Sequence, residues 1–268
     1  MGAKGPRSRP ARSRTSGRHL LRSSELAREI VAAARLLPGE RVLEIGAGTG
    51  RLTAPLVNAG ANVLAVEIDE RSVAALRRRF ADAVVGLEIV HGDALVVPLP
   101  RTPYRAFGNI PFGVTTAILR RLLDAVDGPL QRADLIVQYD VARKRSSVWP
   151  SDLLSLGWLP WWAIHLERRL PAGAFDPPPS VDAAVLSIVR RQPPLLPTGS
   201  RADYLSLVRS AFRRANVPVD GAVRGLVGEG VWRRIARQRG DVRRSRASDL
   251  DVFTWTAVYR QMRGLEPD

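Results

Sequence analysis

Glu44-Ile45-Gly46-Ala47-Gly48-Thr49-Gly50 follows a short apolar run, Arg41–Ile45, and precedes a helical pattern over Leu52–Ala59. A strand, a glycine turn and a helix in that order open a ligand-binding βα unit, because glycine lets the backbone approach a ligand closely. Dinucleotide enzymes share such a turn, so the turn alone does not choose the ligand. The acid at the strand end helps: Glu44 beside a pyrophosphate would be unfavourable, whereas it suits a ligand carrying an ammonium group and no phosphate.

The same alternation runs outward from this turn. Downstream, Asn62–Val66 reads as a strand ended by Glu67, Glu70–Phe80 as a helix, and Leu87–Val90 as a strand followed by Gly92-Asp93. Tyr104–Phe107 and Leu135–Tyr139 are further strands, with a helix over Thr115–Leu123 between them, and Val185–Val189 is a late strand for which antiparallel pairing is an option. Upstream, Leu26, Ile30, Val31 and Ala34 mark an amphipathic helix within Ser23–Leu36, begun by a serine cap and ended by Pro38-Gly39. This succession predicts an α/β fold, a Rossmann-like and mostly parallel sheet with helices on both faces. Pro193-Pro194 and Pro197 to Ser200 form the best linker; beyond it Tyr204–Arg214, Val231–Arg239 and Leu250–Arg263 are helical in pattern and rich in arginine. The expected organisation is a disordered basic arm over 1–15, a catalytic domain over 16–192 and a small C-terminal helical RNA-binding domain over 200–268. Trp149, Trp158, Trp161 and Trp162 fall in a proline-broken stretch and read as core anchors, with stacking on a base as the alternative for one at the rim.

Charge narrows the partner. Lys and Arg number 41 against 26 Asp and Glu, a formal net charge of +15. A polyanion is the leading partner for such a chain, since each neutralised phosphate releases counterions. No apolar run approaches the ~20 residues of a spanning helix and no lipidation pattern is present, so a membrane is not expected. There is no cysteine, and His19, His91 and His165 show no metal-type spacing, so no metal is expected either. The basic N-terminus lacks the apolar stretch of a secretory signal, which makes the cytoplasm the default location.

Two sets of residues carry the chemistry. Glu67 ends its strand about 20 residues after the glycine turn, where a carboxylate accepts ribose hydroxyls, and Asp93 is placed to accept from an adenine amine. With Glu44 for an ammonium, the three acids fit a ligand of amino acid, ribose and adenine: S-adenosylmethionine. Gly108-Asn109-Ile110-Pro111-Phe112, at the end of the Tyr104–Phe107 strand, is the second set. Asn109 offers an acceptor oxygen and a donor NH2. Pro111 presets φ and so aims the neighbouring carbonyls, and Phe112 offers a ring face. Together they form a clamp for a planar, amine-bearing group; an Asn-X-Pro turn with a core phenylalanine is the plainer reading of these residues in isolation.

The series Glu44–Gly50, Glu67, Gly92-Asp93, Gly108–Phe112 and Phe175-Asp176-Pro177-Pro178-Pro179-Ser180-Val181-Asp182 resembles the ribosomal RNA adenine N6-methyltransferases, over roughly residues 16–190. That family includes the Erm macrolide-resistance enzymes and the housekeeping small-subunit dimethyltransferases. The resemblance implies that Gly46 lies against the methionine part of S-adenosyl-L-methionine, Glu67 holds its ribose and Asp93 reads its adenine. It implies that Asn109, which also touches the cofactor, and the Ile110 carbonyl accept from the target adenine's amine, that Phe112 stacks on that base and that Phe175 closes on its other face. The family's opening Gln-Asn-Phe-Leu segment corresponds to Arg18-His19-Leu20-Leu21, where His19 and Leu21 match positions that touch the cofactor while Arg replaces Gln and Leu replaces Phe. Asn-Ile-Pro-Phe, the tryptophan-rich Trp158–Trp162 and Glu167-Arg168-Arg169-Leu170-Pro171 look most like the actinobacterial Erm branch. The implied substrate is then an adenine of 23S rRNA and the implied outcome macrolide, lincosamide and streptogramin B resistance, by a monomer. The small-subunit dimethyltransferase, a DNA adenine methyltransferase and a non-catalytic nucleic-acid-binding relative are the alternatives.

Overall fold

The strand that carries Glu44 becomes an interior strand of a seven-stranded sheet. In the computed structural model, which describes residues 19–80, 84–147, 149, 152–213, 218–240, 242 and 245–265, this strand is β2 (Arg41–Ile45). A two-residue strand β1 (Leu20–Leu21) and helix α1 (Ser24–Ala33) precede it. The basic arm over 1–15 and Arg18 lie outside the described residues. Ser23 caps α1 as expected, its side chain accepting from the amides of Glu25 and Leu26. Then follow α2 (Thr53–Asn58), β3 (Asn62–Glu67), α3 (Glu70–Phe80), β4 (Leu87–His91) and β5 (Tyr104–Asn109). After them come α4 (Thr115–Leu123), β6 (Leu130–Gln138), α5 (Tyr139–Arg145), α6 (Leu153–Leu156), β7 (Trp162–Leu170), β8 (Phe175–Asp176) and β9 (Ala183–Arg190).

The sheet order is β4-β3-β2-β5-β6-β9-β7. Strands β2 to β6 pair in parallel, whereas β9 runs antiparallel to both β6 and β7. The chain winds one way from β2 to β4 and the other way from β5, so the order reverses between β2 and β5. Ligands of open α/β sheets bind at the carboxyl ends of strands at such a switch point. One core layer packs α1, α2 and α3 against one face, with Ile30, Leu56, Leu76 and Phe107 buried; the other packs α4 and the C-terminal helices against the opposite face.

Several elements differ from the sequence reading. Strand β6 starts at Leu130, five residues before Leu135, because the charged pair inside it is satisfied: Asp134, 4% exposed, accepts from Arg132 at 2.7–3.1 Å and lies 3.5 Å from Arg105. Tyr139 is not a strand residue but opens α5. The expected proline-broken tryptophan stretch holds an edge strand, β7, whose exposed charges obscure the pattern and suit an edge. Trp158, Trp161 and Trp162 are core anchors, at 0–1% exposure, and Trp149 is exposed.

The C-terminal helices are α7 (Arg201–Phe212), α8 (Val219–Val227), α9 (Glu229–Gln238) and α10 (Val252–Arg263). Helix α8 has no counterpart in the sequence reading, since Gly221 and Gly225 weaken its helical signal. These helices pack on the sheet layer through Trp161, Tyr204 and Tyr259, whose rings meet edge to face at 6.0 and 5.9 Å. The expected linker is a packed connection: Leu196 is wholly buried and its carbonyl accepts from Trp161 Nε1 at 2.9 Å. No described helix is long and apolar enough to cross a membrane.

Candidate active site

The glycine turn faces the end of β5. Gly46, Gly48 and Gly50 all have positive φ, and at Gly50 an added Cβ would sit 2.7 Å from the Phe80 ring. The amides of Gly46 and Ala47 donate to the Val66 carbonyl at 2.8 and 3.3 Å, which pins the turn to β3. On its other side Gly46 is open: a Cβ there would meet only the Asn109 carbonyl oxygen, at 3.8 Å. A narrow cavity between turn and clamp is lined by Leu20, Leu21, Glu44, Gly46 and Asn109, among others.

Two buried carboxylates flank this turn. Glu44 is 1% exposed and accepts from Thr53 Oγ1 at 2.7 Å. Burial, reinforced by the charge of Glu67, pushes the Glu44 carboxyl up to about 7. Glu67 is 3% exposed, and its two oxygens accept from the amides of Gly48 and Asp69, each at 2.8 Å. Glu67 is therefore pre-set by the turn on one side and by its own strand end on the other. Asp93, half-buried after β4, accepts from the Leu95 amide at 2.9 Å. Two acids in one buried corner favour a cationic ligand, which would offset the burial that chiefly raises Glu44 and the smaller repulsion from Glu67. This charge pattern fits S-adenosylmethionine, with its sulfonium and ammonium groups.

At the clamp, the Asn109 Nδ2 donates to the His19 carbonyl at 2.6 Å. Ile110, 1% exposed, donates its amide to Ile136 at 2.9 Å and so continues the sheet by one residue. Pro111 has φ −56° and ψ 131° and leads into a 3-10 turn, Phe112–Val114. Its carbonyl accepts from the Val114 amide at 3.0 Å and from Thr115 Oγ1 at 3.4 Å. Phe112 is half-buried, its ring 5.7 Å from that of His19.

His19 and Leu21 are brought here by a pairing that the sequence did not reveal. Strand β1 runs antiparallel to β8, Leu20 opposite Asp176 and Leu21 opposite Phe175. His19 Nδ1 lies 2.8 Å from the Pro177 carbonyl, and Arg22 Nε donates to the Phe175 carbonyl at 2.8 Å. The N-terminal and the late proline-rich motifs thus form one two-stranded strap beside the turn. Leu21 is 3% exposed. The expectation for Phe175 is corrected: its ring is 1% exposed among Leu21, Ala27 and Leu170, so it has no face to offer a base. An apolar ring in the middle of the strap is driven into the core, and Phe175 supports the strap from beneath.

Thr53 and Thr115 were missed by sequence reasoning; each sits in the first turn of the helix after its motif, a position that gives a signal only once the helix start is known. Asp182, the last residue of the proline-rich motif, accepts from the Ala172 amide at 3.0 Å and from Arg169 at 2.8 Å, and the guanidinium holds its carboxyl below the usual carboxylate range. His91 ends β4 in register with Glu67, its Nε2 3.2 Å from the Ile68 carbonyl, whereas His165 lies on β7 opposite Ser187, and no metal-type cluster occurs among the described residues.

A family model described as ribosomal RNA adenine dimethylase matches residues 11–249. The mycinamicin-resistance protein MyrB of Micromonospora griseorubida is 38% identical over 240 residues, covering 88% of this chain and 73% of its own. The ribosomal RNA small subunit methyltransferase A of Thermosynechococcus vestitus is 33% identical over 258 residues, covering 93% and 96% respectively. Among solved structures, that of the 23S rRNA methyltransferase ErmE superposes with a TM-score of 0.81 at 26% identity, covering 91% of this chain and 99% of that one.

Proposed function

The chain belongs to the ribosomal RNA adenine dimethylase family and is an rRNA adenine N6-methyltransferase, and from that premise we propose that it methylates one adenine of 23S rRNA with S-adenosylmethionine as donor and thereby confers resistance to macrolides, lincosamides and streptogramin B. The observation that carries the chemistry is the meeting, at the switch point between β2 and β5, of the Glu44–Glu67 corner with the Asn109 clamp through Gly46. The choice of 23S rRNA is supported by the likeness to ErmE across nearly the whole chain, by the greater identity to MyrB and by the Asn-Ile-Pro-Phe form of the clamp.

S-adenosylmethionine supplies an already activated methyl group, so the protein's work is to position and orient. Glu44, Glu67 and Asp93 hold the cofactor's ammonium, ribose and adenine, with Gly46, His19 and Leu21 along its length. The exocyclic amine of adenine is a poor nucleophile because its lone pair is conjugated into the ring. Asn109 Oδ1 and the Ile110 carbonyl accept its hydrogens, which favours a more pyramidal nitrogen and the positive charge growing on it. Pro111 fixes the direction of that carbonyl. Phe112 stacks on the base and offsets, at ~1–3 kcal/mol per stacked base, part of the few kcal/mol that extrusion costs. Methyl transfer would break the donor's S–CH3 bond and leave a neutral thioether, and the proton of the methylated nitrogen would then pass to solvent.

The catalytic unit is residues 16–192; the helical unit, 200–268, and the basic arm, 1–15, bind RNA, and the protein acts as a monomer. A second reading, small-subunit rRNA dimethylation, is favoured by the 33% identity to the Thermosynechococcus protein over almost its full length. Purified protein with labelled S-adenosylmethionine is expected to methylate protein-free 23S RNA, with primer extension stopping at one adenine. Labelling confined to assembled small subunits would establish the second reading. No labelling of any RNA would make the chain a nucleic-acid-binding module.

A further inference from the structure

Beyond the clamp, the same edge of the sheet carries an aromatic–cation pair that the site described above does not use. The start of β9 lies between the C-terminal ends of β6 and β7, Gln138 and Leu170 both facing Ala183. Tyr139, the next residue after β6, reaches over β9 to Arg169, whose guanidinium carbon lies 4.8 Å from the centre of the tyrosine ring. That distance is well inside the ~6 Å range of a cation–π contact. Arg169 is held in this pose from its edge: Nε and Nη2 meet Asp182 Oδ2 at 2.8 and 2.7 Å. Asp182 is itself anchored by the Ala172 amide, and its carbonyl accepts from the Tyr139 amide at 2.9 Å.

The guanidinium carbon therefore lies over the Tyr139 ring and the Nε–Nη2 edge is on Asp182, while the Arg169 side chain remains 63% exposed. A flat cation so braced is poorly explained as a stabilising ion pair, because exposed pairs contribute only ~0–1 kcal/mol. It is well suited to another use: unstacked RNA bases stack on guanidinium planes as they do on aromatic rings. Its position fits that use. Asn109 is on β5, and β6, β9 and β7 follow in order, so Arg169 stands three strand spacings away, about 14 Å along the sheet edge. An adenine drawn into the clamp brings its neighbours to that edge.

Resting on the reading of this site as an rRNA adenine clamp, we propose that Arg169, braced on Tyr139 and Asp182, is a stacking platform for a nucleobase within two positions of the target adenine, and so contributes to choosing which adenine is methylated. The requirement is for a planar base, not for a phosphate, because the edge that would grip a phosphate bidentately is occupied by Asp182.

The test is a cycle between protein and RNA, run on whichever rRNA fragment the wild type methylates, so that a wrong guess of 23S rRNA leaves it intact. Arg169→Lys keeps the charge and loses the plane. On the intact fragment it is expected to lower kcat/KM roughly tenfold, within the range for loss of one stacked base. The flanking nucleotides within two positions are then made abasic one at a time. At one of them the wild type is expected to fall to the level of Arg169→Lys, and the variant to lose no more than about twofold further. Tyr139→Leu is expected to show the same dependence on that position, which a loss of folding would not. An equal loss on every fragment, abasic or not, would make the cluster purely structural and overturn the proposal. So would full activity of Arg169→Lys with a loss only in Arg169→Gln, which would mark a phosphate contact.

Discussion

Asn109 donates its side-chain NH2 to the backbone carbonyl of His19 at 2.6 Å. A carbonyl can only accept, so this contact fixes which end of the amide faces the strap and which end faces the cleft: Oδ1 is the atom presented to a substrate amine. Asn109→Ala removes that acceptor, and a single lost hydrogen bond to developing charge is expected to lower kcat about 10²–10³-fold. Binding of S-adenosylmethionine, followed by titration calorimetry, should stay within about tenfold, since the acids of β2, β3 and β4 are untouched. Asn109→Asp should do no better, because a carboxylate would repel the His19 carbonyl. Retained turnover in Asn109→Ala would remove the clamp from the mechanism.

Glu44 makes stability depend on pH in a direction opposite to that of most carboxylates. Its native value is about 7 against an ordinary 4.5, with burial the main cause and Glu67 adding to it. The native chain thus keeps a proton that the unfolded chain releases, and stability is highest below about 4.5, falls as pH rises toward 7 and is level beyond. The loss is on the order of 3 kcal/mol at most, from about 1.4 kcal/mol per pKa unit. Glu44→Gln keeps an acceptor for Thr53 and carries no charge. Thermal midpoints of the wild type should decline from pH 5 to 7.5 relative to those of Glu44→Gln. Parallel declines would place the titration elsewhere. Bound S-adenosylmethionine should shrink the difference by favouring the ionised carboxylate.

Strands β2, β3 and β5 were legible because they are largely buried and read as apolar runs, each closed by an acid or a glycine. Glu44, Glu67 and Asn109 were found for that reason: they stand where an apolar run stops. What sequence reasoning lost depended on contacts between distant segments. Strand β7 carries Glu167, Arg168 and Arg169 on its exposed positions and lacks a continuous apolar run. The pairing of Leu21 with Phe175 spans more than half of the chain, and nothing local in either segment announces it. Phe175 was misread for the same cause. A motif shows that a ring is needed, but only the strap shows which way it points.

The helical unit holds a polar group with no visible reason to be there. Tyr204 packs edge to face between Trp161 and Tyr259, fully buried, and its hydroxyl has no hydrogen-bond partner among the described residues. Burying an unpaired hydroxyl costs roughly 1–3 kcal/mol. Tyr204→Phe retains both ring contacts and removes that cost, so it should raise the urea midpoint, by about 1 kcal/mol in stability. A drop in the midpoint would show that the hydroxyl has a partner.

The basic arm should be felt through salt. Residues 1–15 contain Lys4, Arg7, Arg9, Arg12 and Arg14 and no acid. If all five neutralise phosphates of single-stranded RNA, deletion should flatten the log–log salt slope of RNA binding by about 3 to 4, at ~0.7 per phosphate. Filter binding at several salt concentrations gives the slope. An unchanged slope would show that these charges do not meet the RNA.

Phe112 and Phe175 invite a direct comparison, because one ring is half-buried at the mouth of the site and the other lies wholly within the core. Phe112→Ala should cost less stability than Phe175→Ala, since the Phe112 ring is only partly buried against the core. Its loss should appear in the reaction: weaker binding and turnover of RNA, by ~1–3 kcal/mol for one stacked base, with S-adenosylmethionine affinity nearly unchanged. Phe175→Ala should behave in the reverse order. Removing a buried ring costs ~3–5 kcal/mol of stability, and it undoes the packing under Leu21, so cofactor affinity should fall along with the melting temperature. Phe175→Leu, which refills most of the space, should recover both, whereas Phe112→Leu should recover little because leucine has no ring face. If Phe175→Leu instead folds well, binds cofactor well and still fails to methylate, the ring does swing out to meet the base, and the buried position seen here is only one of two that it adopts.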